Sequence, residues 1–184
     1  MRRQMLLGLA TLGMLTGCGV SPQFYGWPTQ GGTGTPPVIE AYYAPQSIGS
    51  GGTWNIYLRA KDPEGDMLYI ACMTSEKGLG PVNSAEIPLK GPNRAEFSGY
   101  ISMSIPVYDS FEAAGLTLNT TVLIRDQQGN ASQSIQLPLT LNGGSGTTMP
   151  PQWQQAARHH LGDILVDASL FTSSGVQSGR GSSW

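Results

Sequence analysis

Two short acidic segments hold the side chains with the clearest capacity for chemistry. They are Asp62-Pro63-Glu64-Gly65-Asp66 and Asp126-Gln127-Gln128-Gly129-Asn130. Calcium takes six to eight hard oxygen ligands in proteins, and backbone carbonyls can complete a set of side-chain oxygens. The pattern therefore predicts a calcium site if the fold brings the two segments together. The candidate ligands are Asp62, Glu64, Asp66, Asp126 and Asn130.

The same two segments have a plainer interpretation. Asp, Asn, Gly and Pro are the residues that tight turns require, so two ordinary turns are the alternative to a metal site. The first segment also begins with the acidic spacing of an EF-hand loop. However, Met73 stands where that loop needs its bidentate glutamate, which excludes an EF-hand.

The N-terminus has the layout of a secretory signal. Met1-Arg2-Arg3 is a short basic region, an apolar stretch runs from Met5 to Leu15, and small residues follow it. A helix needs about 20 apolar residues to span a bilayer, and this stretch is shorter and interrupted by Gly and Thr. We therefore expect residues 1–17 to be a cleaved signal peptide.

Leu15-Thr16-Gly17-Cys18 resembles the lipobox of bacterial lipoproteins. The resemblance implies cleavage before Cys18, lipidation of its thiol and acylation of the new N-terminus, and more than one acyl chain gives stable membrane anchoring. It also implies a location in the cell envelope. Because Gly19 stands where an aspartate would resemble the inner-membrane retention signal, the outer membrane is favoured where the organism has one. The alternative is an ordinary cleaved signal with a coincidental cysteine.

Charge and composition narrow the classes of partner. Loss of Arg2 and Arg3 with the signal peptide leaves eight basic residues against twelve acidic ones, so the formal net charge moves from −2 to −4. A mildly acidic chain without a basic block is a poor partner for nucleic acid or for anionic headgroups. Abundant Gly, Ser, Thr, Asn and Gln suit an extracytoplasmic β-rich domain with many turns.

The sequence offers little for catalysis. Once Cys18 is lipidated, Cys72 is the remaining cysteine, and its apolar surroundings predict a buried, inert thiol and no disulfide. His159 and His160 are adjacent, and adjacent helical residues point about 100° apart, so they cannot grip one metal as an i, i+4 pair does. The motifs of serine hydrolases, phosphate loops and dinucleotide sites are missing. We therefore expect no enzymatic activity.

Alternation of apolar and polar residues predicts seven strands. It is clearest in residues 53–61, where Trp54, Ile56, Leu58 and Ala60 share one face. Short turns without helical crossovers separate the strands, which indicates antiparallel pairing in a two-sheet sandwich of the all-β class. The predicted strands cover residues 38–44, 53–61, 67–74, 85–89, 95–105, 116–125 and 134–141.

Residues 38–142 resemble an immunoglobulin-like or cadherin-like bacterial domain. The matching pieces are the strand before Asp62, the D-P-E-G-D turn and the late D-Q-Q-G-N hairpin. The chain lacks the inter-sheet cysteine pair of antibody domains, and Trp54 lies on the second strand rather than the third. In an immunoglobulin-like order, the turn between the second and third strands and the last hairpin lie at one end of the sandwich. The resemblance therefore implies that the two acidic segments meet.

Both flanks of this domain have a different composition. Residues 18–37 are rich in Gly, Thr, Pro and Gln, which predicts a flexible tether behind the lipidated cysteine. Residues 143–184 begin as a Gly-Ser linker and end in a stretch that we expect to be disordered from residue 172.

Between these two parts of the tail, a segment of about residues 151–170 has apolar residues at helical spacing. Trp153, Leu161, Ile164 and Leu165 belong to this pattern, which predicts a short amphipathic helix that packs on its own domain or binds a partner. Because Gly162 weakens a helix, residues 164–166 fit a strand equally well.

Two classes of function remain. The first is a non-enzymatic interaction or structural module of the cell envelope, with an envelope protein as the partner of the tail. The second is a module that binds calcium or a glycan at the acidic loop end, and no cofactor other than calcium is expected. A glycan binder needs exposed aromatic residues on one sheet face, for which Tyr57 and Tyr100 are candidates.

Overall fold

In the computed structural model, two β-sheets pack face to face. The structure describes residues 31–49, 51–76, 81–105, 116–141 and 148–166. Single turns of 3-10 helix lie at Gly91–Arg94, Pro151–Trp153 and Ala156–Arg158. The predicted signal peptide, Cys18 and the predicted disordered end lie outside the described residues. The strands are β1 (Val38–Tyr43), β2 (Ser47–Ile48), β3 (Thr53–Lys61), β4 (Met67–Glu76), β5 (Pro81–Pro88), β6 (Glu96–Ser104), β7 (Thr117–Asp126), β8 (Ile135–Leu141) and β9 (His160–Leu165).

The order of the first eight strands is that of an immunoglobulin-like sandwich. One sheet has the order β1-β3-β6-β9 and the other has the order β2-β8-β7-β4-β5. The chain changes sheets early, because β1 pairs antiparallel with β3 whereas β2 pairs parallel with β8. The central pairs, β3 with β6, β4 with β7 and β7 with β8, are all antiparallel. The predicted fold class, an all-β immunoglobulin-like sandwich, is confirmed.

The core lies between the sheets, on the side chains that alternation assigns to the inner face. Along β6, exposed or half-buried positions alternate with buried ones over the whole strand. Trp54 is fully buried, and its indole Nε1 donates a hydrogen bond to the carbonyl of Pro45 at 2.6 Å, which satisfies its polar atom in the core. The largest fully buried side chains are Trp54, Ile56, Leu58, Met67, Ile70, Ile101, Met103, Ile105, Leu118, Ile124, Leu139 and Leu141.

The expected helix in the C-terminal segment is wrong over residues 160–166, whereas the strand alternative for residues 164–166 agrees with the structure at Ile164 and Leu165. This stretch forms β9, which pairs parallel with β6, and the helical content of the segment is limited to the two short turns Pro151–Trp153 and Ala156–Arg158. Ile164 and Val166 both enter the core, so the true period is two. The edge of β6 offers unpaired backbone groups, and pairing with this edge outweighs the local preference of a Gly-containing segment.

The predicted count of seven strands is also too low for the described residues. The additions are the two-residue β2, which is too short to show alternation, and β9. In an immunoglobulin-like domain, the fourth strand of this sheet comes earlier in the chain than the strand that corresponds to β6. In this protein the fourth strand of that sheet comes from the C-terminal segment and runs parallel to its neighbour.

Candidate metal centre

The two acidic segments meet at one end of the sandwich, as their place in the strand order predicts. Asp62 follows the last residue of β3, Asp66 precedes β4, and Asp126 is the last residue of β7. Antiparallel pairing of β4 with β7 sets Met67 opposite Asp126, and the amide of Gln127 donates a hydrogen bond to the carbonyl of Asp66 at 3.0 Å.

Three carboxylates converge at this point. One oxygen from each of Asp62, Asp66 and Asp126 lies within 4.8 Å of the other two. Calcium binds oxygen at 2.3–2.6 Å, so one ion can bridge oxygens that lie up to about 5 Å apart. Asp62 and Asp126 are only 5% and 2% exposed, whereas Asp66 is half-buried. The group has the ligand chemistry and the spacing for a hard divalent cation.

Asp62 is a buried member of the group whose charge is only partly compensated. Its Oδ1 accepts a hydrogen bond from the amide of Glu64 at 3.0 Å, but its Oδ2 is buried and has no hydrogen-bond partner among the described residues. Burial raises the pKa of Asp62; the hydrogen bond from the Glu64 amide opposes this rise, and the neighbouring carboxyl of Asp66 adds to it. A buried anionic oxygen without a partner is costly, and a bound cation or proton removes that cost.

Asp126 is held by Asn130. Oδ1 of Asp126 accepts a hydrogen bond from the backbone amide of Asn130, and its Oδ2 accepts one from Nδ2 of Asn130, both at 2.8 Å. Each carboxylate oxygen keeps a second lone pair for a cation. The predicted ligand Asn130 thus turns its amide nitrogen to Asp126, so its contribution is to orient this carboxylate.

Glu64, the remaining predicted ligand, lies outside the group of three. Its side chain is exposed, and Oε1 accepts a hydrogen bond from the backbone amide of Thr35 at 3.2 Å. Burial works to raise the pKa of Glu64, but hydrogen bonds from the hydroxyl and the amide of Thr35 outweigh it and lower the pKa. Glu64 therefore joins the loop to the chain that precedes β1.

Sequence reasoning missed this preceding chain as part of the site. Residues 31–35, which we call the strap, fall within the predicted tether but contact both acidic loops. Thr33 accepts a hydrogen bond at its carbonyl from Nδ2 of Asn130 at 3.1 Å, and Thr35 contacts Glu64. The one signal for this arrangement is the Gly-Gly-Thr-Gly-Thr composition, because glycines allow a close backbone approach.

Three of the four predicted partner-binding residues of the tail, Trp153, Leu161 and Ile164, pack on their own domain. Trp153 is 4% exposed and packs with Tyr43 and Tyr57 at ring-centroid distances of 6.4 and 6.2 Å. Ile164 is in the core and Leu161 packs against it, whereas Leu165 is 69% exposed.

The two tyrosines proposed for a glycan lie under the same segment. Tyr57 is 8% exposed and packs with Trp153, and Tyr100 is half-buried between Tyr57 and the ring of His160. Residues 148–158 thus cover much of this sheet face with the chain's own atoms. In the described structure the three carboxylates of the calcium alternative lie together, whereas Tyr57 is buried and Tyr100 is half-buried under the C-terminal segment.

The other reactive side chains that the structure describes, Cys72, His159 and His160, do not converge. Cys72 is buried between the sheets, and burial raises the pKa of its thiol to about 12. His159 contacts Asn93 and the carbonyl of Ser98, while His160 contacts Asp163 at 3.1 Å. The two imidazoles therefore have separate partners. The helices in the described ranges are single turns of three or four residues, which are too short to cross a bilayer.

Comparisons with known proteins return a limited likeness. No protein-family model matches the chain, and no curated protein matches its sequence. A solved PKD domain of an M14-like peptidase from a Thermoplasmatales archaeon is 18% identical with a TM-score of 0.38, covering 59% of this chain and 98% of that domain. The CARDB domain of a Pyrococcus furiosus protein, in complex with di-metal ions, is 13% identical with a TM-score of 0.27, covering 58% of this chain and 92% of that one. Because both TM-scores are low, the assignment of the fold rests on the strand pairing described above.

Proposed function

We propose that this protein is a non-enzymatic binding module of the cell envelope, anchored through lipids on Cys18, whose sandwich binds one calcium ion through Asp62, Asp66 and Asp126. The observation that carries the calcium site is Oδ2 of Asp62, a buried carboxylate oxygen that lies beside two further carboxylates and that no residue in the described part of the chain hydrogen-bonds. The Leu15-Thr16-Gly17-Cys18 sequence supports the anchor.

The ligand set favours calcium over softer metals. All three side chains offer carboxylate oxygens, whereas zinc and copper sites usually recruit imidazole or thiolate. Magnesium demands near-ideal octahedral geometry at shorter distances and usually keeps several waters. Calcium accepts irregular coordination, and its remaining positions would be filled by backbone carbonyls or water.

The supports of the carboxylates fit a preorganised site. Asp126 is held by two hydrogen bonds from Asn130, and Asp62 is held at Oδ1 by the amide of Glu64. These donors fix the side chains without using all their lone pairs. A cation would neutralise charges that already lie close together, so binding would stabilise the folded state over the unfolded chain.

Thermal unfolding of the full chain carrying Cys18→Ser tests the calcium site. We expect millimolar calcium to raise Tm relative to chelator, because a ligand at a hundred times its Kd stabilises the folded state by about 2.7 kcal/mol. Asp62→Asn should abolish this rise. The same substitution should leave Tm in chelator equal or higher, since it removes the uncompensated buried charge.

Glu86→Gln is the matched control for this experiment. It removes one negative charge from an exposed position on β5, away from the acidic loops, and should keep the full calcium response. An unchanged Tm on adding calcium, or a rise that survives Asp62→Asn combined with Asp126→Asn, would rule out the site.

A further inference from the structure

We infer that the strap, residues 31–35, is a calcium-controlled clasp, so that ion binding sets the point at which the membrane tether leaves the domain. This inference rests on the proposed calcium site and adds its regulation. The starting observation is that the strap contacts both loops that supply the ligands, through Thr33 on one loop and Thr35 on the other.

Each of these contacts reaches a residue adjoining a ligand. Asn130 donates to the carbonyl of Thr33 through the same Nδ2 that donates to Asp126. Glu64 accepts from the amide of Thr35, while its own amide donates to Oδ1 of Asp62. Any shift of Asn130 or Glu64 on binding of the ion is therefore passed directly to the strap.

The fit between the strap and the loops is close enough to be sensitive to such shifts. A Cβ atom on Gly32 would lie 1.8 Å from the carbonyl oxygen of Gln128, a distance that no side chain can adopt. Gly34 has a φ of +105° and passes within reach of both Asn130 and Glu64. Only glycines allow the backbone to lie this close in this conformation.

Thermodynamic linkage then connects calcium binding with docking of the strap. Without calcium, repulsion among the three carboxylates favours arrangements in which the loops spread, and these loosen the surface on which the strap lies. With calcium, the loops are held in the arrangement that the strap fits. Because coupling is reciprocal, a docked strap must raise calcium affinity by the same factor by which calcium favours docking.

The consequence concerns the reach of the anchored domain. Thirteen residues lead from Cys18 to Gly31, and nineteen lead from Cys18 to Pro37. A fully extended chain covers at most about 3.5 Å per residue, so these lengths correspond to about 45 Å and about 65 Å. A docked strap would shorten the tether and keep the acidic loop end facing the membrane. Release of the strap would lengthen the tether and let the domain move farther from the membrane.

Hydrogen exchange of the strap amides in the full Cys18→Ser chain tests the inference without any substitution in the strap. We expect the Thr35 amide to exchange at least about fivefold more slowly in calcium than in chelator, the lower end of typical coupling between two sites. Magnesium at the same concentration serves as the ionic-strength control.

Calorimetric titration with calcium provides the reciprocal measurement. Gly32→Val, which cannot fit beside Gln128, should weaken calcium binding by about fivefold or more. Glu86→Gln, at an exposed position of β5 away from the strap and the acidic loops, is again the control and should bind calcium as the wild type does. The strap lies outside the strands, so Gly32→Val should keep the circular dichroism of the sandwich.

The outcomes separate the two proposals. If the wild type shows no calcium response in thermal unfolding, the site is wrong and the clasp is wrong with it. If calcium binds, but Gly32→Val keeps the wild-type affinity and Thr35 exchanges equally fast in calcium and in chelator, the clasp is overturned while the site stands.

Discussion

Asp62 and Cys72 show how burial acts on single residues. Both lie in the interior, and burial raises the pKa of each. For Asp62 the raised pKa reflects an uncompensated charge beside Asp66, which a cation can neutralise. For Cys72 the cause of the raised pKa is burial, so the thiol stays protonated and behaves as a small apolar side chain.

We expect Cys72 to resist thiol reagents in the folded protein. In the Cys18→Ser chain it is the only cysteine, and a pKa of about 12 leaves on the order of one thiolate in ten thousand at pH 8. Reactivity should rise only toward strongly alkaline pH. Mass spectrometry after brief alkylation should find no label in native buffer and complete label in denaturant. Rapid labelling of the native protein would contradict the buried position.

Strand β9 is the element that departs most from the sequence-based expectation. It extends the first sheet in parallel with β6, and Asn83 of β5 donates a hydrogen bond from Nδ2 to the carbonyl of Leu165 at 3.0 Å. Gly162 faces Ile87 of the opposite sheet, so β9 closes one side of the sandwich. Ile164 of β9 is buried in the core and Leu161 packs against it, so the core extends beyond residue 142.

Gly162→Val should therefore displace β9. A Cβ at this position would lie 2.7 Å from Cγ2 of Ile87, and overpacking of this kind costs about 1–3 kcal/mol. Urea denaturation should report that loss, and the β9 amides should lose protection from hydrogen exchange. Asp163→Ala, at the exposed neighbouring position, is the control and should change stability little. Full protection of β9 in Gly162→Val would show that the strand tolerates a side chain there.

The whole molecule is best understood as a sandwich whose two flanking segments both return to it. The strap lies on the acidic loop end, and residues 148–166 cover one sheet face and complete its edge. If Cys18 is lipidated, the loop end with the candidate calcium site is the end nearest to the anchor along the chain. Judged from the described residues, the surfaces left for an envelope partner would then be the second sheet and the far end of the sandwich.

Anchoring itself has a direct test. Cys18→Ser should move the protein from the membrane fraction to the soluble fraction, because the acyl chains supply the membrane affinity. Intact-mass measurement of the wild type should show a mature chain that begins at Cys18 with acyl groups attached. Cys72→Ser is the matched control and should stay in the membrane fraction. An unmodified N-terminus on the mature wild type would overturn the lipoprotein proposal.

The local patterns in the sequence determined the fold class and the outline of the site. Alternation identified most strands because inward and outward positions follow directly from the pleat, and the Asp- and Gly-containing turns identified the loops. The immunoglobulin-like order then predicted that Asp62, Asp66 and Asp126 would meet. All of these inferences use neighbouring residues or the simple succession of elements.

Only the tertiary structure decided the contacts between distant segments. β9 is a strand because the edge of β6, about sixty residues earlier, leaves backbone groups to be paired. The strap contacts Asn130 across a separation of 97 residues, and no local pattern marks that pairing. The same holds for the roles of Asn130 and Glu64, whose side chains could ligate a cation by type alone. In the structure, Asn130 and Glu64 instead support the site through hydrogen bonds with Asp126 and Thr35. A donor or acceptor bonds with whichever partner the fold brings within about 3 Å, and the sequence does not show which partner that is.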